Sequence, residues 1–233
     1  MELISVSDLN LSFGEKVVFS NADFKVSKGD VVGILGSNGS GKTTFFDVLC
    51  NLRQPDSAHI SNHSKATLYL SQTLSAPPAL RMGELHALIV NLNSDRIITQ
   101  ADTIAKLNGW STSLGKRYAE IWKKKPSVCS YGEIRSFYTL SLLTLEADLF
   151  LLDEPTAGVD PEFRHYMWLG IKAAREEGAA FVVSSHQISE ISSNCDRFYM
   201  LTRNKFTEFS SKQDYLEHYA GTTLDEAFIK AST

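Results

Sequence analysis

The nine residues from Gly36 to Thr44, GSNGSGKTT, carry the densest chemistry in the chain. They follow the apolar, β-branched run Val31, Val32, Gly33, Ile34, Leu35 and precede Phe45, Phe46, Val48, Leu49 and Leu52, a pattern of strand, tight loop and helix. Gly36, Gly39 and Gly41 open backbone conformations that a Cβ would close, so the N–H groups of Gly36, Ser37, Asn38, Gly39, Ser40 and Gly41 can converge on phosphate oxygens. The positive end of the helix points the same way, Lys42 is placed to reach terminal phosphates, and the Thr43 hydroxyl, with Thr44 completing the motif, is placed to ligate Mg²⁺.

Three further places bear groups suited to the same chemistry. The apolar strand Leu149 to Leu152 ends in Asp153-Glu154. There an aspartate can hold a hydrated Mg²⁺ and the glutamate beside it can orient and deprotonate a water. A second buried strand, Ala179 to Val183, ends in Ser184-Ser185-His186, and a histidine at the carboxyl end of such a strand faces the crevice where open parallel sheets bind ligands. Gln72 directly follows the strand Thr67 to Leu70, where its amide can touch both Mg²⁺ and an attacking water. Ser130 and Gly132 stand before a helix from about Ile134 to Leu145 that is apolar nearly all round, so its positive N-terminal end is aimed outward. Phe13 ends an early strand, and its ring can stack on an adenine face.

These groups need an α/β frame to hold them. Short alternating strands are expected at Leu3 to Val6, Leu9 to Phe13, Val17 to Phe19 and Phe24 to Val26, forming an antiparallel sheet with turns at Gly14 and Lys28-Gly29. Leu52 to Ser71 reads as a polar connection before the strand at Thr67, with His59 and His63 as solvated loop residues. Apolar residues at helical spacing (Leu80, Met82, Leu85, Leu88, Ile89, Leu92, then Ile97, Ile98, Ile104, Leu107) mark residues 76–126 as a helical insertion, with Lys123 to Lys125 at a solvated helix end. Another helix runs from Asp160-Pro161 to Glu177. The 233 residues suffice for one domain with an insertion, and a net charge of -4 gives no electrostatic case for nucleic acid. Three cysteines without a C-x-x-C pair argue against a disulfide frame or a zinc site, and no apolar run reaches the roughly 18 residues of a membrane span.

Taken together, these residues resemble the ATP-binding-cassette ATPases from end to end. Gly36 to Thr44 matches the Walker A loop, Phe13 the adenine-stacking aromatic, Gln72 the Q-loop glutamine, Leu149 to Glu154 the Walker B strand with its catalytic glutamate, Ala157 to Asp160 the D-loop and His186 the switch histidine. The resemblance implies one cassette over residues 1–233. Its P-loop core sheet and antiparallel β subdomain would occupy 1–75 and 127–233, and its α-helical subdomain 76–126, extending into the signature helix. It also implies ATP and Mg²⁺ as ligands, with Thr43, Gln72 and Asp153 at the metal and Lys42, Glu154 and His186 in catalysis. The partners implied are a second cassette, identical in preference to paralogous, and a transmembrane permease that holds the chain at the cytoplasmic membrane face.

The signature is where this chain departs: Cys129, Ser130, Tyr131, Gly132, Glu133 stand where the family shows L-S-G-G-Q. Ser130 and Gly132, the residues for contact with the γ-phosphate across a dimer, are kept. Glu133 suits a helix N-terminus yet repels a phosphate, so a weaker ATP-driven closure is expected. The tail Gly221 to Ile229 is similar to a terminal motif of cassettes serving drug, lipid and peptide exporters, which favours export. The other reading is an assembly or regulatory ATPase, of iron-sulfur scaffold or ribosome-associated type, with no membrane partner.

Overall fold

The computed structural model describes residues 1–93 and 97–232. Numbered in chain order, the strands are β1 (Glu2–Phe13), β2 (Lys16–Ser27), β3 (Val31–Leu35), β4 (Ser57–Asn62), β5 (Thr67–Leu70), β6 (Leu149–Asp153), β7 (Ala180–Ser185), β8 (Arg197–Thr202) and β9 (Lys205–Phe209). The helices are α1 (Lys42–Leu49), α2 (Met82–Asn93), α3 (Gln100–Trp110), α4 (Thr112–Trp122), α5 (Tyr131–Leu143), α6 (Pro161–Glu176), α7 (Ile188–Asn194), α8 (Lys212–His218) and α9 (Leu224–Ser232). They divide between two compact units, the first formed by Met1–Ser71, Asp148–Glu154 and Gly178–Thr233, the second by Gln72–Ala147 and Pro155–Glu177.

The first unit holds two sheets, one of three antiparallel strands in the order β2-β1-β4 and one of six in the order β5-β6-β7-β3-β8-β9, parallel except for β9. Every residue of β3, β6 and β7 is buried, which is why these segments are unbroken apolar runs except at their carboxyl ends. Their register sets Leu35 opposite Ser185 and Asp153 opposite Ser184, so the three chemically loaded strand ends lie side by side. An aromatic cluster seats α1 behind them: Phe45 meets Phe24 edge-on at 4.9 Å and Phe206 at 4.7 Å between ring centroids.

The antiparallel sheet departs from the expected run of short strands. β1 and β2 are long strands of 12 residues each, interrupted by bulges at which Asp8 and Asn21 take positive φ. The bulged residues are braced across the pair, Asp8 N donating to Asp23 Oδ1 and Asn21 N to Asn10 Oδ1. Each bulge breaks the two-residue alternation, and this is what made one strand look like two in sequence. The polar stretch after Leu52 is corrected as well, because Ser57–Asn62 forms β4, an edge strand on β1. It is exposed at every position but Ala58, so it has no apolar face to announce it.

The second unit consists of α2 to α6 with a short 3₁₀ turn at Pro126–Val128. α5 buries ten of its 13 residues, as its all-round apolar character requires. Beside it the buried His86 links α2 to α3 and α4, its Nε2 lying 2.9 Å from Thr103 Oγ1 and its Nδ1 3.0 Å from Tyr118 Oη. Tyr118 Oη lies 2.6 Å from Ser141 Oγ, which itself donates to Phe137 O at 2.7 Å. Both ring nitrogens of His86 are thus paired with hydroxyls. Among the described residues, no helix is long and apolar enough to cross a membrane.

Burial lowers the His86 pKa from 6.5 to about 4. The folded chain thus refuses a proton that the unfolded chain accepts, and stability present above pH 6.5 should decline as pH falls toward 4. The full window is worth on the order of 3 kcal/mol. Denaturant melts of wild type and His86→Gln across that window should show a steeper decline for wild type; parallel curves would count against it.

Candidate active site

The loop after β3 turns back through Gly39 at φ +78° and enters α1 through Gly41 at φ +114°, left-handed conformations that glycine takes without penalty. A Cβ on Gly41 would come within 2.8 Å of Val18 Cγ1, whereas at Gly39 it would meet nothing. Ser37, Asn38 and Gly39 form the exposed rim, with Gly36 buried beneath them. Lys42, the first residue of α1, is 6% exposed and folds back over the loop, donating to Gly36 O at 2.8 Å and Ser37 O at 3.3 Å.

The same ammonium lies 3.2 Å from Glu154 Oε1, while the other oxygen of that carboxylate accepts from His186 Nδ1 at 2.9 Å. Glu154 is 3% exposed and sits at φ +50°, a left-handed backbone that a glutamate adopts only under local constraint. The constraint includes Ser184, whose hydroxyl accepts from Glu154 N at 2.9 Å and donates to Asp153 Oδ1 at 2.5 Å. Thr43 Oγ1 donates to the other oxygen, Asp153 Oδ2, at 2.6 Å. Burial pushes the Asp153 carboxyl above its ordinary pKa, against the pull of the two hydroxyl donors.

Lys42 and Thr43, at the start of α1, are thus brought together in the first unit with Asp153, Glu154 and His186 at the carboxyl ends of β6 and β7. The residues present fit a magnesium-bound triphosphate. Thr43 and Asp153 pair a hydroxyl with a carboxylate, the hard oxygen donors that Mg²⁺ prefers, and Lys42 supplies a cation at the loop. Ser40 Oγ is buried in that loop with no hydrogen-bond partner among the described residues, an acceptor or donor that a phosphate oxygen would satisfy. Phe13 stands at the end of β1, 43% exposed, and carries the Arg53 guanidinium 4.7 Å from its ring centroid.

Gln72, Ser130 and Gly132 belong to the second unit. Ser130 caps α5 in a reciprocal box with Glu133: Glu133 N donates to Ser130 Oγ at 3.1 Å, and Ser130 N to Glu133 Oε2 at 2.9 Å. Lys124 Nζ lies 2.9 Å and Arg117 Nη2 3.8 Å from Glu133 Oε1. Burial opposes the Glu133 charge, but Lys124, the Ser130 N–H and Arg117 together hold its carboxyl below the usual range. Gly132 faces the 156–160 loop, its Cβ direction ending 3.5 Å from Val159 Cα, and Asp160 caps α6 by accepting from Phe163 N at 3.1 Å.

Two residues of evident importance carried no assignment in sequence. Ser184 links the Asp153 carboxylate to the Glu154 main-chain N–H, and its only signal is a hydroxyl at the end of an apolar strand. Arg135, fully buried in α5, had none beyond being a charge in an apolar helix.

Comparison with known proteins identifies the frame. A family model described as ABC transporter matches residues 19–157. Protein McbF of Escherichia coli is 31% identical over 230 residues, covering 95% of this chain and 92% of that protein. Nod factor export ATP-binding protein I of Rhizobium etli is 23% identical, covering 98% of this chain and 74% of its own length. A solved structure described as the ATP binding subunit of an ABC transporter superposes with a TM-score of 0.80 at 21% identity, covering 98% of this chain and 99% of that one. A bacterial ABC transporter cassette solved as a dimer does so at 0.72 and 18%, covering 89% and 98%. The chain belongs to the ABC transporter family, as one of its ATPase cassettes.

Proposed function

We propose that this cassette is the nucleotide-hydrolysing subunit of an exporter-type transporter, acting in pairs beneath a separate membrane subunit. The observation that carries the catalytic part is the Glu154 carboxylate held between Lys42 and His186, next to the Thr43–Asp153 pair. The export role in the name of Nod factor export ATP-binding protein I, with the tail Gly221 to Ile229, supports the direction.

In this reading Lys42 exchanges its carbonyl and carboxylate partners for the terminal phosphates of ATP, and the loop N–H groups hold the remaining oxygens. Thr43 and Asp153 would hold Mg²⁺, and the ion would supply charge neutralisation at the terminal phosphoryl group. Released from Lys42, Glu154 accepts a proton from the attacking water, and His186 fixes the carboxylate and the water in line. Phe13 offers its ring to the base. Ser130 and Gly132 of a second copy of this chain complete the phosphate site, so that binding closes the pair and hydrolysis reopens it.

Glu133 enters here through charge. Its carboxylate accepts from Ser130 N at the α5 cap, with Lys124 and Arg117 beside it, so any charge they leave uncompensated would meet a phosphate there.

The catalytic reading is tested by Glu154→Gln, which should cut ATP hydrolysis about 100-fold or more while accumulating an ATP-bound dimer in size exclusion. Lys42→Ala should remove both nucleotide binding and turnover. A Glu154→Gln protein that hydrolyses at near-normal rate would take the base role away from Glu154. For the signature, Glu133→Gln should tighten ATP-dependent dimerisation several-fold, most at low ionic strength where charges reach furthest; no gain at any salt concentration would refute the repulsion. Export is tested by detergent co-purification from membranes, where recovery of the chain without a hydrophobic subunit would favour the assembly-ATPase alternative.

A further inference from the structure

Arg135 is fully buried on the second turn of α5, and its guanidinium donates to main-chain carbonyls. Nε donates to Pro155 O at 2.9 Å and Nη1 to Gln72 O at 2.8 Å, with Tyr131 Oη a further 3.4 Å neighbour of Nη1. Gln72 and Pro155 are not arbitrary acceptors. The chain leaves the first unit twice on the N-terminal side of a second-unit segment, at Ser71-Gln72 and at Glu154-Pro155, and these are the first residues after each departure. One side chain therefore holds both departures to the helix whose tip carries Ser130 and Gly132.

The packing around it runs the same way. The Tyr131 ring stands 3.3 Å from the Cβ direction of Gly158, and Gly132 lies against Val159, so the α5 tip and the segment after Pro155 are in contact over successive residues. A buried charge is costly unless its donors are satisfied, and two carbonyls on separate segments demand a rigid, forked donor. A lysine in that place has one compact ammonium and cannot reproduce the fork.

We propose that Arg135 is a positioning residue that makes the signature tip, the Gln72 segment and the segment following Glu154 move as one body. This rests on the paired-cassette reading above for its consequence, though not for its geometry. A phosphate engaged by Ser130 and Gly132 in one copy would then be felt, through Arg135, at Gln72 and at Pro155, the residue covalently joined to the proposed general base, of that same copy. Arg135 touches neither nucleotide nor water; it acts through the main chain.

The test uses full-length Arg135→Met, which keeps the stem and removes the donors, and Arg135→Lys, which keeps the charge, each alone and combined with Glu154→Gln. Without nucleotide, hydrogen exchange should rise at least threefold together at residues 73–75 and 156–160, while the β1 and β2 amides stay as in wild type. Binding of a fluorescent ATP analogue to the isolated subunit should remain within twofold, and ATP-dependent dimerisation in the Glu154→Gln background should weaken at least fivefold. Exchange unchanged at both segments, exchange raised equally through α2 to α6, or dimerisation within twofold of the parent would each overturn the coupling. Should Arg135→Met not fold, Arg135→Lys carries the same three readouts. If the Glu154→Gln parent never dimerises with ATP, the paired-cassette reading fails, and the exchange pattern still decides whether Arg135 holds the two segments together.

Discussion

A carboxylate removed from water must find a partner for each oxygen, and in this protein Glu154 finds one on either side: the Lys42 ammonium at Oε1 and the His186 imidazole at Oε2. The partners come from α1 and from the end of β7, while Glu154 itself follows β6. Their meeting depends on the strand order β6-β7-β3, which puts three carboxyl ends in one row. Ser184 then fixes the pair of acids from the middle strand, giving its proton to Asp153 and taking the N–H of Glu154. A change of register by one residue at β7 would turn that hydroxyl to the other face of the sheet and leave two neighbouring acids without their shared anchor.

The helical unit shows a different economy of charge. Glu133, Lys124 and Arg117 are gathered close to the α5 cap, and the acid serves the helix twice, once by accepting the Ser130 N–H and once through its charge at the positive helix end. Arg135, two residues further on, is buried and donates to two main-chain carbonyls. Charge near the tip is thus locally compensated at the surface and buried behind it, and the two arrangements have separate jobs, one at the cap and one in the main chain.

How much of this was visible in sequence follows from the range of the interactions. The phosphate loop was legible because its strand, glycines, lysine and helix are contiguous, and local rules fix them. Asp153, Glu154 and His186 were legible because each closes an apolar run, so position alone gives direction. β4 was not, since an exposed edge strand carries no alternation, and neither was the continuity of β1 and β2, whose bulges at Asp8 and Asn21 shift the inward face. Ser184 and Arg135 were silent for another reason: the partners of Ser184 lie 30 and 31 residues away, and the carbonyl partners of Arg135 lie 20 and 63. No local pattern records such a pairing.

The left-handed backbone at Glu154 has a consequence for which variants the fold itself would favour. A side chain with a Cβ is disfavoured there by about 1 kcal/mol or more relative to glycine. Random drift toward a more relaxed main chain would therefore discard the acid first, and under the role proposed for Glu154 that would leave a sturdier protein that binds its ligand without hydrolysing it. Whatever keeps a glutamate at this bend acts against conformational preference, and hydrolysis is the property most exposed if that pressure relaxes.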